Sequence, residues 1–229
     1  MDAIRYTLTF PAPHTHYVHI RAEIPSVGRE SLELAMAVWT PGSYLVREFA
    51  RHVEAVTAQR PDGEPLRVEK TAKNRWRIAT GGAACVVVSY RVYGREMSVR
   101  TNWIESGFAF LNGAPTFLTL AGPSTTLGAG DSARPHEVTI VPAEGWTRSI
   151  TALDPGVRLK PDTTSGGPPD ATYCAPDYDT LVDSPILVGN PELHEFSVDG
   201  TPHLLANVGD TAFFDAPRGE GSRSDRASA

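Results

Sequence analysis

Apolar residues in this chain recur at every second position in short runs that stop at proline or glycine, and that habit narrows the folds open to it. Leu32, Leu34, Met36 and Val38 alternate with Glu33, Ala35 and Ala37, the period of a strand with one buried face. With 20 glycines and 19 prolines punctuating such runs, and no long amphipathic helical run, the sequence predicts an all-β fold. Twisted antiparallel sheets in a sandwich or saddle, with one or two short helical turns, are expected. A chain of 229 residues buries roughly seventy per cent or more of its unfolded surface, so one core is the economical expectation.

The remaining runs follow the same rule. Tyr6 to Phe10 alternates until Pro11-Ala12-Pro13, and a second strand is expected from His16 to Ile24. Val53 to Gln59 reads as a strand turned by Arg60-Pro61-Asp62-Gly63-Glu64, with Leu66 and Val68 beginning its return. Asn74 to Ala79 places Trp76 and Ile78 on one face. Ala84 to Tyr93 is the most apolar run and is expected at the centre of a sheet. Val138 to Val141, Trp146 to Leu153, Pro185 to Gly189 and His203 to Val208 supply further strands. The Gly-, Ser- and Thr-rich stretch 122–134 and the proline-rich stretch 154–172 read as loops. One domain is expected over 1–214, with a disordered tail at 215–229.

Charge and cysteine content exclude several classes. A net charge of −6 with no basic stripe argues against nucleic acid, whose phosphates need clustered Lys and Arg. The first residues lack the apolar core of an export signal and no run reaches the length of a membrane span, so the chain as written is expected in the cytoplasm. A start lying upstream would make it exported. Cys85 and Cys174 have no CxxC spacing and are read as reduced thiols. His14 and His16 fall on one side of an expected strand, but no carboxylate or cysteine nearby completes a metal set and His19 faces the other way. Asp177, Asp179 and Asp183 lie too close along one helical turn to flank a sugar and lack the glycine and glutamate of a calcium loop. They read instead as a helix cap at Asp177, with Tyr178 and Leu181 in the core and Asp183-Ser184-Pro185 as the exit.

The densest signal is Trp39-Thr40-Pro41-Gly42-Ser43-Tyr44, followed by Arg47-Glu48-Phe49 and Arg51-His52-Val53. Pro41-Gly42 ends a strand at a corner, and Tyr44, Arg47 and Glu48 are spaced for one side of a short helical turn. Trp76 after Lys73-Asn74-Arg75, the strand ending Ser89-Tyr90-Arg91-Val92-Tyr93, Glu96 to Arg100, Gly145-Trp146, and Asp177 to Pro185 follow in order. Together these resemble the N-terminal domain of the glycyl-aminopeptidase-like zinc metallopeptidases, peptidase family sixty-one. The resemblance runs from about Ile4 to about Phe214 and makes Trp39, Pro41, Gly42, Tyr44, Arg47, Trp76, Trp146, Tyr178 and Asp183 the structural residues of the family motif.

In that family a β-rich domain precedes a thermolysin-like domain whose His-Glu-x-x-His helix binds zinc. This chain does not contain that motif. His136-Glu137 continues Val138-Thr139-Ile140, and His194-Glu195 continues Phe196-Ser197-Val198. The resemblance therefore implies a non-catalytic half, inactive alone, with no cofactor of its own and with zinc expected in a catalytic domain acting in cis or in trans. Its ending fits a shortened gene, a frameshift or an engineered cut. In related two-domain aminopeptidases a strand edge of this domain borders the cleft and offers polar groups to the substrate's free amine. Glu105 or Asn112 is the candidate here, while Asn112-Gly113 also reads as a hairpin turn. The alternative is a free-standing β-sandwich that binds peptide or glycan through aromatics such as Tyr44 or Trp103.

Overall fold

The computed structural model of the chain describes residues 2–40, 45–121, 134–156 and 171–209. In its first half lie β1 (Ile4–Thr9), β2 (Tyr17–Pro25), β3 (Ser31–Ala35), β4 (Val53–Gln59), β5 (Pro65–Leu66), β6 (Val68–Ala72), β7 (Arg75–Ala79) and β8 (Cys85–Tyr93). Then come β9 (Trp103–Ile104), β10 (Phe108–Leu111), β11 (Thr119–Leu120), β12 (His136–Val141), β13 (Arg148–Thr151), β14 (Asp154–Pro155) and β15 (Ala171–Ala175). The helix α1 (Tyr178–Val182) leads to β16 (Ile186–Gly189), β17 (Glu192–Val198) and β18 (Thr201–Asn207). Short 3-10 turns occupy Pro13–Thr15 and Phe49–His52. The fold is all-β. Among the described residues no helix is long and apolar enough to cross a membrane.

Eight strands form one sheet in the order β14-β15-β12-β1-β2-β8-β4-β5. Two four-stranded sheets, β13-β16-β10-β9 and β11-β3-β7-β6, accompany it. β8 lies inside the large sheet between β2 and β4, the position its continuous apolar text demands. Alternation sets burial: Ile4, Tyr6 and Leu8 of β1 and Val18, Ile20, Ala22 and Ile24 of β2 point inward. One buried cluster joins these residues to Leu32 and Leu34 of β3, Trp76 and Ile78 of β7, and Ile186 and Val188 of β16.

The described residues divide at 189/190 into two compact units, 2–189 and the region from Asn190. Of the second unit, β17 and β18 form a two-stranded hairpin. The expected corner at Pro41-Gly42, most of the loops at 122–134 and 154–172, and the tail at 215–229 lie outside the described residues. The ends of the second loop are strand, since Asp154 and Pro155 pair with Cys174 and Tyr173.

Other expectations need correction. β1 and β12 pair in parallel, Ile4 to His136 through Thr9 to Val141, so the large sheet is not wholly antiparallel. β5 returns along β4 as expected, but β6 joins β7 in another sheet, so the run from Leu66 to Val68 crosses between sheets. His14 sits in a 3-10 turn and His16 ends it with φ 67°, which removes both from the strand supposed to align them. The hairpin of β9 and β10 turns at Glu105–Gly107, not at Asn112-Gly113. Gly113 answers another need: a Cβ there would lie 2.5 Å from Cα of Val182, so only glycine admits α1 this close.

Three buried tyrosines converge on one irregular segment. Tyr90 donates to the Thr116 carbonyl at 3.1 Å and accepts from Leu118 N–H at 3.0 Å. Tyr178 donates to Phe117 O at 3.0 Å and Tyr6 to Leu118 O at 2.9 Å. Burial raises the pKa of all three phenols well above the ordinary value. Beside them His136 is buried, parallel to the Tyr6 ring at 6.0 Å and 5.7 Å from that of Tyr178. Desolvation pushes its pKa down to about 4.

Two outcomes are expected. Tyr90→Phe orphans the Leu118 N–H and costs about 1–3 kcal/mol in urea unfolding. His136 is neutral in the folded chain and takes a proton more readily when unfolded, so stability falls as pH drops from about 6.5 towards about 4. Denaturant midpoints across that interval should slope, and the slope should flatten in His136→Phe.

Candidate functional site

The turn of the β9–β10 hairpin presents Glu105, and three contacts fix it. Glu105 N–H donates to Phe108 O at 3.0 Å, closing the turn. Trp146 Nε1 donates to Ser106 O at 3.0 Å, anchoring the tip to a buried indole. Arg95 bridges to Trp103, lays its guanidinium 4.3 Å over that ring, and brings Nη1 to 3.6 Å from Glu105 Oε2. The Glu105 carboxylate is thus half-exposed beside a single cation. A carboxylate so placed attracts an ammonium group, with Arg95 setting its position and competing for it.

Asn112 has a different fate. It is buried, its Nδ2 donates to Thr101 O at 2.6 Å, and its backbone N–H donates to Asn102 Oδ1 at 2.9 Å. Asn102 Nδ2 in turn donates to Thr116 Oγ1 at 2.9 Å, whose hydroxyl donates to Asn112 O at 2.6 Å. The network supports the strand that ends in Glu105 and leaves the Asn112 amide engaged within the protein.

Next to this edge the Phe49–His52 turn and the 94–101 segment enclose two hollows. One, of about 270 Å³, has Leu45, Val46, Glu96 and Thr101 in its walls. The other, of about 220 Å³, has Phe49, His52, Tyr93 and Asn102. Arg51 donates from Nε to His52 Nε2 at 3.0 Å and lies 3.7 Å from Glu96. Burial and then the Arg51 charge push the His52 pKa below its ordinary value. Leu45, Val46, Met97 and Val99 are all exposed, on the two segments that wall the first of these hollows.

The motif residues separate into groups. Trp39, Tyr178 and Asp183 border one hollow of about 140 Å³, although far apart in sequence. Trp76 and Trp146 are core. Arg47 donates its backbone N–H to Val38 O at 2.6 Å, and its buried Nε has no hydrogen-bond partner among the described residues. Arg47 and Glu48 precede the 3-10 turn instead of sharing its face, and Glu48 pairs with Lys73 at 2.6 Å. Pro41, Gly42 and Tyr44 lie outside the described residues. Sequence reasoning missed Arg95, because its contacts with Trp103 and Glu105 come from pairing across a loop with no local periodicity.

Among the described residues the donors do not fit a zinc ion. Among the described residues no three His, Cys, Asp or Glu side chains converge. His136 is enclosed by aromatic rings, and its neighbour Glu137, on the opposite strand face, pairs with Arg5 at 2.9 Å. His194 sits 3.5 Å from Glu192 on the separate hairpin. Asp177 caps α1 by accepting from Thr180 N–H at 2.7 Å, and Asp183 closes the helix, as the sequence predicts. Burial raises the pKa of the Cys85 and Cys174 thiols, which disfavours thiolate chemistry at neutral pH.

Such a chain is a β-rich module with a polar edge and an exposed apolar border. Residues 5–190 match the model of the Peptidase M61 N-terminal domain, and the chain belongs to that family. A solved aminopeptidase N family protein from Idiomarina loihiensis is 27% identical with a TM-score of 0.76, covering 90% of this chain and 32% of that one. The chain therefore spans about a third of that protein's length. An M1 zinc metallopeptidase from Deinococcus radiodurans, solved with a Tyr-Ser-Ala substrate, is 14% identical over 96% of this chain and 50% of that one, with a TM-score of 0.49. A comparison with curated proteins found no match.

The two candidate residues should respond differently to substitution. Asn112→Ala strands the Thr101 carbonyl and is expected to cost about 1–3 kcal/mol. Glu105→Gln loses only a partly exposed ion pair and should change stability by less than about 1 kcal/mol. Urea denaturation of the two variants checks the contrast.

Proposed function

We propose that this chain is the non-catalytic N-terminal domain of a glycyl-aminopeptidase-like metalloaminopeptidase, steadying the zinc catalytic domain and bordering its substrate cleft. Zinc would supply Lewis-acid activation of water in that other domain. The present chain contributes a rigid edge, with Glu105 offered to the free amine of a peptide. The observation that carries this reading is the family membership over 5–190 in a chain that spans about a third of an aminopeptidase N family protein. The exposed Leu45, Val46, Met97 and Val99 support it, since an apolar border suits a surface that another domain covers.

A free-standing glycan or peptide binder draws less support. Trp103, its described aromatic candidate, already carries the Arg95 guanidinium over its ring. A sugar platform needs that face open.

The recombinant chain is expected to bind no stoichiometric zinc and to leave glycyl and alanyl arylamides uncleaved. Turnover by the isolated chain with one bound zinc overturns the proposal, and so does saturable binding on a glycan array without any partner polypeptide.

A further inference from the structure

β17 and β18 pair with each other through seven positions, Glu192 to Asn207 at one end and Val198 to Thr201 at the other. Among the described residues neither strand joins another sheet. A two-stranded hairpin is marginal in water unless something covers a face.

Each face of this hairpin carries exposed apolar residues. Opposed residues share a face, so Phe196 with His203, His194 with Leu205, and Val198 with Thr201 lie together. Phe196, Val198 and Leu205 are 51%, 47% and 41% exposed, and the Phe196 and His203 rings stack at 5.2 Å. The other face carries Leu193, Leu204 and Ala206 beside Glu195 and Ser197, and Leu204 is 49% exposed. Both faces therefore hold large apolar side chains open to water.

Two independent boundaries fall at its root. The family's stretch ends at residue 190, and the compact units divide between Gly189 and Asn190. The likeness to the Idiomarina loihiensis protein nevertheless continues past that point. It takes in 90% of 229 residues, about 206, whereas 5–190 holds 186, leaving about twenty matched positions outside, of which at most four precede Arg5. The segment after 190 thus lies outside the family's domain yet has a counterpart in a protein about three times as long.

We propose that residues 192–207 are the opening element of the domain that follows, and that the exposed apolar residues of the hairpin, Phe196, Val198, Leu204 and Leu205, are covered by the catalytic domain of an M61-type peptidase. This rests on the reading of the chain as an N-terminal domain, and it adds that the boundary falls at 189/190 and that the hairpin crosses to the partner.

Hydrogen exchange on the full 229-residue chain tests it. Alone, the amides of 192–207 should exchange at least about tenfold faster than those of β1, β2 and β8, because local opening costs little where few contacts hold. Phe196→Asp should leave Tm unchanged. Adding the remaining two-thirds of the Idiomarina loihiensis protein as a separate polypeptide should slow exchange at 192–207, and Phe196→Asp should abolish that slowing. Protection of the hairpin equal to the core in the monomeric chain overturns the inference, as does a concentration-dependent dimer that Phe196→Asp dissolves. Slowing confined to residues 2–189 overturns it while leaving the N-terminal-domain reading intact, and no slowing anywhere counts against both.

Discussion

The segment 114–118 runs through the core without a strand partner, and the three tyrosine hydroxyls that meet its backbone hold the rest in place. A buried carbonyl or N–H left without a partner costs as much as a lost hydrogen bond. Here the partners come from β1, β8 and α1, so Tyr6, Tyr90 and Tyr178 satisfy the segment and tie three distant parts of the chain to it. The tie runs both ways. A phenol in this setting must remain neutral, because the surrounding apolar cluster offers nothing to solvate a phenolate.

From that fixed segment the order of the candidate edge follows. Thr116 passes its position to Asn112 and Asn102, and Asn112 passes it to Thr101, through hydrogen bonds that are all buried. Thr101 and Asn102 lead directly into β9, and β9 ends where Glu105 begins its turn. The half-exposed carboxylate thus stands on a chain of satisfied polar groups reaching into the core. Asn112 and Glu105, which looked interchangeable as amine ligands, serve different ends: one holds the loop, the other faces outward.

Much of this architecture is legible in the text of the chain, where the physics is local. Alternation marks β2 and β7 because one face of each is buried, a continuous apolar run marks β8 because it lies inside the sheet, and the Asp177 cap is legible because the cap residue and the N–H it accepts from sit within four positions. Pairings across long loops are not legible. The parallel match of β1 with β12 joins residues more than 130 apart, and nothing in the runs from Ile4 or His136 announces its direction. The same limit hides Arg95, and it misplaced the hairpin turn: Asn112-Gly113 has the composition of a tight turn, but its glycine is there for the approach of Val182. His14 and His16 fail for a related reason, since Pro13 starts a 3-10 turn that takes them off the strand.

Among the described residues the strand period disperses neighbouring histidines and acids. Consecutive strand residues face opposite ways, so a His-Glu pair such as 136–137 sends one group into the aromatic core and the other to a surface arginine. A helix with histidines four apart sends both to one side. A strand end does something else well. It holds one side chain at a fixed height above a rigid sheet, and Glu105, clamped between a closed turn and Arg95, is held in that way.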